Sequence, residues 1–517
     1  MKTENDRSMF SQSAQLLLCP DAAVPVRQMD ERLASYNIEM TEVTGGTFWK
    51  EYTPGQIAGT EEFPPVSDLQ NITAMSELMQ EYPPINLYDE KLRKLARQLG
   101  PAWIRVSGTW ATKTYYDFEG TTGGRAPAGY AAVLTREQWI GVLDFVKAVG
   151  GKLLVSVSNC EGDHPDGGPL DLTQAKKLFA LSRDHGVEIS AIEFMNEPNM
   201  LELSGAPAGY TAADYARDQD LLYRWVRENA PGCLLVGPCT TGDPVLLEEG
   251  AKGFGAGIAS LVKACSTREL LAGTQVRLDV FSYHYYNGIS ERLASLAPGM
   301  HWDGRLACSD EYLAVASGYA RAHAALRDRC VPGGPMWVTE SGDAGGGGDT
   351  WASTYLDVLR TLNELGSFCE VTDGVIFHNT LASSDYGYLR HGSFEPRPNY
   401  FAVLLWNRLM GSTVYTGGSS GLDGAHIYCH SRRDGRPGLA YLVINNSLTD
   451  VLTVKTPGAA ERYTLSAENM RASVMRLNGR ELRLSGDAEL PDLTPVREEA
   501  GTVELAPGTC TFLVLSR

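Results

Sequence analysis

The 517-residue sequence predicts an α/β protein: a (β/α)8 TIM barrel followed by a C-terminal β-sandwich that also takes strands from the N-terminus. Three observations predict it. From about residue 36 to about residue 410, eight short apolar, β-rich runs alternate with longer amphipathic stretches of helical period. No glycine-rich phosphate turn follows any of these runs, as a doubly wound dinucleotide fold would require. From about residue 411 the texture changes to short alternating strands split by Gly, Asn and Asp turns.

The expected barrel strands are Asn37 to Val43, Ala102 to Val106, Lys152 to Val157, Ile189 to Met195, Cys233 to Val236, Leu278 to Tyr286, Met336 to Thr339 and Gly374 to His378. Between them lie helical segments such as LYDEKLRKLARQLG, TREQWIGVLDFVKAVGG and DEYLAVASGYARAHAALRD, several of which close on the glycine that favours a helix C-terminus. The domains read as 1–35, N-terminal strands that pack with the sandwich; 36–410, the catalytic barrel; and 411–517, the sandwich itself. AQLLLCP and VPVRQMD are too short to fold alone, so their edges should pair with the C-terminal strands.

Sixty-three acidic residues against 45 Lys and Arg give a net charge of −18, and the basic residues form no cluster that would neutralise phosphates, which excludes a general nucleic-acid binder. No apolar run approaches the roughly 20 residues that cross a bilayer, so no membrane partner is expected. The opening MKTENDRSMF lacks the basic start and apolar stretch of a secretory leader, and the ten scattered cysteines form no C-x-x-C pair; both features read as a cytoplasmic protein. No H-E-x-x-H or clustered His/Cys set is present, so neither a metal nor a cofactor is expected. His430, in HSRRD, reads as a solvated turn.

In a barrel the reactive groups stand at the C-terminal ends of the strands, and two of those ends carry glutamates. The fourth strand leaves Asn196 and Glu197 before Pro198, and the seventh leaves Glu340 before Ser341 and Gly342. Three βα units separate them, so the carboxylates can face each other across the barrel mouth. Glycoside hydrolysis needs such a pair: one carboxylic acid to protonate the leaving oxygen, and a second carboxylate to attack the anomeric carbon or direct water at it. The charge of Glu340 is expected to keep Glu197 protonated as acid/base, with Glu340 as nucleophile about 5 to 5.5 Å away, the separation of a retaining mechanism. Ser341 has no G-x-S-x-G elbow around it and is not read as a nucleophile.

The MNEPN and WVTESG strand ends, with FSYHYYNG between them, resemble the clan of retaining glycosidases that carry acid/base and nucleophile on strands four and seven. The glycine run in TESGDAGGGG, the FEPRPNYFAVLLWNRLMGS segment and the tail LNGRELRLSGDAELPDLTP resemble glycoside hydrolase family 79, that of heparanase and β-glucuronidases. The resemblance covers most of the chain from about residue 80 and implies a glucuronic-acid-containing glycoside as substrate. It implies backbone N–H contacts from Gly346 and Gly347 to the uronate carboxylate, and a further contact from Tyr386, with Tyr388 as the alternative. Glu42 would meet sugar hydroxyls from the first strand, Asn196 would bond the 2-hydroxyl, and Thr109, His284 and Tyr286 would line the same pocket. The loops after the second and third strands carry Arg125 against Glu161, Asp163 and Asp166, which departs from a sulfated-polysaccharide endo-hydrolase and favours exo action on a small or weakly charged aglycone.

Overall fold

The structure is a computed structural model that describes residues 15–66, 77–242, 264–417, 420–486 and 488–516. Eight parallel strands close a barrel: β1 (Ala34–Glu39), β2 (Trp103–Ser107), β3 (Lys152–Val155), β4 (Ile189–Glu193), β5 (Leu234–Thr241), β6 (Val280–Ile289), β7 (Met336–Gly345) and β8 (Ile376–His378). The last strand pairs with the first, Ile376 opposite Ala34. Each is followed by a helix: α1 (Glu90–Gln98), α2 (Arg136–Val149), α3 (Thr173–Asp184), α4 (Ala212–Asn229), α5 (Thr267–Leu271), α6 (Asp310–Cys330), α7 (Leu356–Val371) and α8 (Pro398–Leu409). The barrel expectation is borne out.

Strand alternation sorts side chains into two populations. Ile38, Ile104, Val106, Ile192, Tyr283 and Val338 face outward onto the helices. Inside, the floor of the barrel is an apolar layer of Trp103, Leu154, Ala191, Val236, Val280, Trp337, Val375 and Phe377, with the two indole rings 4.8 Å apart. Two residues further along the same faces the layer turns polar: Arg105 follows Trp103, Glu193 follows Ala191 and Ser282 follows Val280, all fully buried. The floor therefore excludes water beneath a polar layer that must satisfy itself.

Two boundaries differ from the expectation. β1 ends at Glu39, and Met40–Thr44 turns into a short helix, so Glu42 is helical. The helix forms there because Glu39 and Glu42 make a reciprocal capping box. β7 continues through Glu340 to Gly345, with its register against β6 shifting by one residue: Tyr283 pairs Val338, but His284 pairs Glu340. This bulge at Thr339 inverts the alternation. Counted from inward-facing Trp337, Glu340 would point at the helices; the extra residue turns it into the barrel.

The C-terminal strands form two sheets. The larger runs Pro25–Gln28, Met410–Tyr415, Ala425–Arg432, Gly438–Asn445, Thr509–Ser516, Ala460–Ala467, Met475–Leu477 and Arg480–Glu481, and the smaller is Gln15–Leu17, Leu452–Thr456 and Gly501–Leu505. Both N-terminal segments thus pair with C-terminal strands. One face of the large sheet, with Ile427, Tyr441, Val443 and Leu513, closes on the small sheet; the other, with Tyr428, Leu442, Phe512 and Val514, packs on the barrel helices. His430 is buried in this sheet against the Gly411 carbonyl and is not the solvated turn expected, because Trp406 packs edge-on against its ring. Helix α8 runs directly into Met410–Tyr415, and no linker separates the two units.

Tyr355, fully buried before α7, donates to the carbonyls of Leu465 and Gly508 in the sandwich. Tyr355→Phe leaves both without this donor and should cost about 1–3 kcal/mol, read as a lower thermal midpoint; an unchanged midpoint would contradict this account of the interface.

Candidate active site

The polar layer is organised by Arg105 of β2. Its Nε donates to Glu193 (2.8 Å), Nη1 to Glu340 (3.1 Å) and Nη2 to the Asn196 carbonyl oxygen (2.8 Å), while His284 Nε2 lies 3.3 Å from Nη2. Burial disfavours the guanidinium charge, and the carboxylates of Glu193 and Glu340 outweigh that effect, so its proton is held more tightly than usual.

Glu340 receives two further donors on its other oxygen, the Tyr286 hydroxyl at 2.5 Å and Asn379 Nδ2 at 3.3 Å. Three donor atoms, from β2, β6 and the residue after β8, therefore fix the carboxylate, with His284 Nδ1 3.5 Å away. Ser341 points the other way, donating to Glu364 of α7.

Glu197 lies beyond the end of β4 at φ 44°, a region that non-glycine residues rarely occupy, and this backbone turn swings its side chain over the barrel mouth. Burial raises its carboxyl from 4.5 to about 7, against the opposing pull of Arg105 and a hydrogen bond from Thr241. The expectation that Glu340 would supply this shift is corrected: removal from water is the cause. Burial likewise pushes His284 down to about 4, so its ring is neutral at pH 7. With Nε2 facing an arginine donor, Nε2 must accept and Nδ1 must carry the hydrogen. Nδ1–H then donates to Glu197 Oε1 at 3.0 Å. That leaves the other Glu197 oxygen to carry the transferable proton.

One oxygen of Glu197, one of Glu340 and a ring nitrogen of His284 lie within 4.8 Å of one another. Such a donor set could hold a metal ion in principle, as could Glu193, Cys239 and His284. In both groups the Arg105 guanidinium already occupies the inner side, and its positive charge opposes a second cation.

The remaining expected residues divide. Asn196 donates to Thr109 Oγ1 at 3.4 Å and accepts from Arg105, which brings both beside Glu340. Tyr386 is buried against Tyr286 and Ala352, and its hydroxyl accepts from Asn379 Nδ2 at 3.2 Å. Tyr388 stacks on His378 at 3.9 Å and belongs to the core. Glu42 is not placed as expected. Its Oε2 accepts the Glu39 N–H at 2.8 Å, because the capping helix directs it back onto the backbone. The acidic group at the end of β1 is Glu39, whose carboxylate lies over Gly108; a Cβ there would sit 1.6 Å from Glu39 Oε2, and φ of 95° also requires glycine. Burial, then the charge of Glu340, raises Glu39 well above the usual carboxylate range.

Gly346 and Gly347 have φ of 94° and 90°. They form a packed turn. A Cβ on Gly346 would meet Leu293 at 2.6 Å and one on Gly347 would meet Trp49 at 2.6 Å. The carbonyls of Gly346, Gly347 and Gly348 accept from the hydroxyls of Ser290, Ser384 and Tyr52. With the carbonyls tied down, the N–H groups of Gly346 and Gly347 have no partner among the described residues. Asp163 is enclosed, accepting from Tyr130, Ser158 and Cys160, so it adds no charge to the cleft surface.

Sequence reasoning missed Arg105, Glu193, Glu39 and Asn379. Arg105 and Glu193 had a visible signal, a charged residue inside an otherwise apolar strand (WIRVS and ISAIE), which demands a buried partner.

A closed barrel with two glutamates at the mouth, on β7 and just after β4, defines a TIM-barrel glycoside hydrolase. No sequence-family profile matches the chain. It is 25% identical to heparanase-like protein 1 of Arabidopsis thaliana, covering 82% of this chain and 83% of that one. It is 30% identical to baicalin-beta-D-glucuronidase of Scutellaria baicalensis over 35% and 36% of the two chains, and 22% identical to hyaluronoglucuronidase of Hirudo nipponia over 84% and 90%. Among solved structures, 4-O-alpha-L-rhamnosyl-beta-D-glucuronidase from Fusarium oxysporum superposes with a TM-score of 0.64 at 13% identity, covering 98% of this chain and 99% of that one. Over most of its length the chain is thus similar to heparanase-like proteins, on a barrel of glycoside-hydrolase type. Among the described residues no helix is long and apolar enough to cross a membrane.

The pKa of Glu197 yields two linked expectations. Activity should fall as pH rises through about 7, as the acid loses its proton. Because its folded-state value lies above the unfolded one, the folded state loses stability across the interval from 4.5 to about 7. Glu197→Gln removes that loss, so its stability relative to wild type should be greater at pH 8 than at pH 4 by up to about 3 kcal/mol. Equal differences in melting at the two pH values would contradict the assignment.

Proposed function

We propose that the protein is a retaining, exo-acting β-glucuronidase. The observation that carries the mechanism is the approach of the Glu197 and Glu340 carboxylates to within 4.8 Å, close to the roughly 5 Å of retaining enzymes and too near for the intervening water of inverting ones.

In the first step Glu340 attacks the anomeric carbon while Glu197 transfers its proton to the glycosidic oxygen; the C–O bond to the aglycone breaks and a glycosyl ester forms on Glu340. In the second, Glu197, now a carboxylate, takes a proton from water, which attacks the same carbon and releases Glu340. Arg105, Tyr286 and Asn379 hold the Glu340 oxygens during attack and receive them back on release. Neutral His284 holds Glu197 in place without competing for its proton. Asn196, Thr109 and Glu39 are the groups assigned to the sugar hydroxyls.

The uronate reading is supported by the two unpartnered N–H groups at Gly346 and Gly347, in a turn whose next residue, Gly348, packs against Tyr386, and by the relatives named for glucuronidase activity. Because Tyr386 accepts from Asn379, its own hydrogen can turn to a carboxylate. Exo action is supported by the loops after β2 and β3, where Glu161 and Asp166 are exposed and the exposed basic residue is Arg125.

Wild type should cleave 4-nitrophenyl β-D-glucuronide at least tenfold better than the β-glucoside or β-xyloside, and Glu340→Gln and Glu197→Gln should each lower the rate by 10³-fold or more. Preference for a neutral glycoside would remove the uronate assignment; rapid depolymerisation of heparan sulfate would replace exo action by endo.

A further inference from the structure

The turn that presents the Gly346 and Gly347 N–H groups is held from behind by one buried cation. Arg292, 2% exposed, follows β6 in the 3-10 turn Glu291–Leu293. Its Nη1 donates to the carbonyls of Lys50 (2.8 Å) and Leu78 (3.2 Å), at the end of the hairpin formed by Gly46–Trp49 and Met79–Tyr82. Its Nε donates to the Tyr52 hydroxyl at 2.9 Å, and its guanidinium lies 4.0 Å from the centre of the Tyr52 ring. The Tyr52 hydroxyl passes its own hydrogen to the Gly348 carbonyl at 2.6 Å. The Tyr52 N–H donates to Asp385, the neighbour of Tyr386, at 2.9 Å. Arg292 therefore joins the loops after β1, β6, β7 and β8 at the place where the glycine turn and Tyr386 meet.

The third guanidinium nitrogen is informative. Nη2 is buried with no hydrogen-bond partner, and its nearest carboxylate is Asp385 Oδ2 at 3.6 Å. The adjoining ion pairs join Arg397 and Arg390 to Glu51. This corner thus gathers three guanidiniums, with the carboxyl groups of Glu51, Asp385 and, near Tyr52, Asp349, in a chain whose net charge is −18. A buried guanidinium with an unsatisfied donor is costly if structure were its only purpose. Behind an anion site it has a use: it fixes the turn whose N–H groups meet the anion and adds positive potential where little water screens it.

We propose that Arg292, acting through Tyr52, is a positioning residue that sets preference for uronates over neutral sugars. This rests on the glucuronidase reading above. It predicts a selective effect, because Arg292 supports the carboxylate end of the sugar and the described contacts of Glu197 and Glu340 do not include it.

The test measures kcat and KM for 4-nitrophenyl β-D-glucuronide and β-D-glucoside with wild type, Arg292→Gln, Arg292→Lys and Tyr52→Phe, after circular dichroism and melting show that each is folded. Arg292→Gln should raise KM for the glucuronide tenfold or more with kcat within threefold, and leave kcat/KM for the glucoside unchanged. Arg292→Lys keeps the charge but loses the fork and should recover part of the difference. Tyr52→Phe, which removes a single oxygen, should raise the glucuronide KM about threefold and carries the test should Arg292→Gln not fold. If wild type prefers the glucuronide and the ratio between substrates stays constant across the variants, the role of Arg292 is overturned while the glucuronidase reading stands. A parallel fall of kcat on both substrates would show a purely structural role. If wild type does not prefer the glucuronide, the glucuronidase reading fails and takes this inference with it.

Discussion

The site depends on one buried guanidinium. Arg105 stands where apolar floor gives way to polar layer, and every group that performs the proposed chemistry is tied to it directly or through one neighbour. It bonds Glu340 and Asn196, confronts His284 and through that ring orients Glu197, while Glu193 supplies a second carboxylate. Buried ion pairs of this kind add little net stability, since desolvation offsets much of the attraction. Their value here is geometric: a planar fork with fixed directions sets the separation of two carboxylates that would otherwise repel each other.

Around that fork, the two glutamates differ through environment. Glu340 sits inside β7 with hydrogen-bond donors on both oxygens, whereas Glu197 hangs beyond β4 in a buried place with a neutral imidazole beside it and a pKa near 7. The same side chain is thus suited to attack in one position and to proton transfer in the other. Glu39 extends the pattern: burial and the charge of Glu340 raise its carboxyl well above the ordinary range.

Much of this was legible in the sequence, for definite reasons. Period-2 apolar runs between amphipathic helices give eight strands, and the barrel rule then singles out Glu197 and Glu340. What could not be read is local backbone irregularity. Alternation along β7 would turn Glu340 outward, and only the bulge at Thr339 reverses it. A strand drawn through Val43 makes Glu42 the acidic strand residue, but the capping box ends β1 earlier and leaves Glu39 there. The glycine run reads as an open loop, whereas its neighbours fill the space a Cβ would need. Arg292 and Tyr52 carry no motif at all, since their relation to the turn is created by four loops meeting in space.

The most direct test of the central claim, that Glu340 and Glu197 work as a nucleophile and acid/base pair, is to trap the intermediate. Incubation with a 2-deoxy-2-fluoro-β-D-glucuronosyl fluoride, followed by peptide mass spectrometry, should show one glycosyl adduct on the peptide containing Glu340, formed more slowly or not at all in Glu340→Gln. An adduct on another residue, or turnover that gives the inverted anomer with no adduct, would contradict the account.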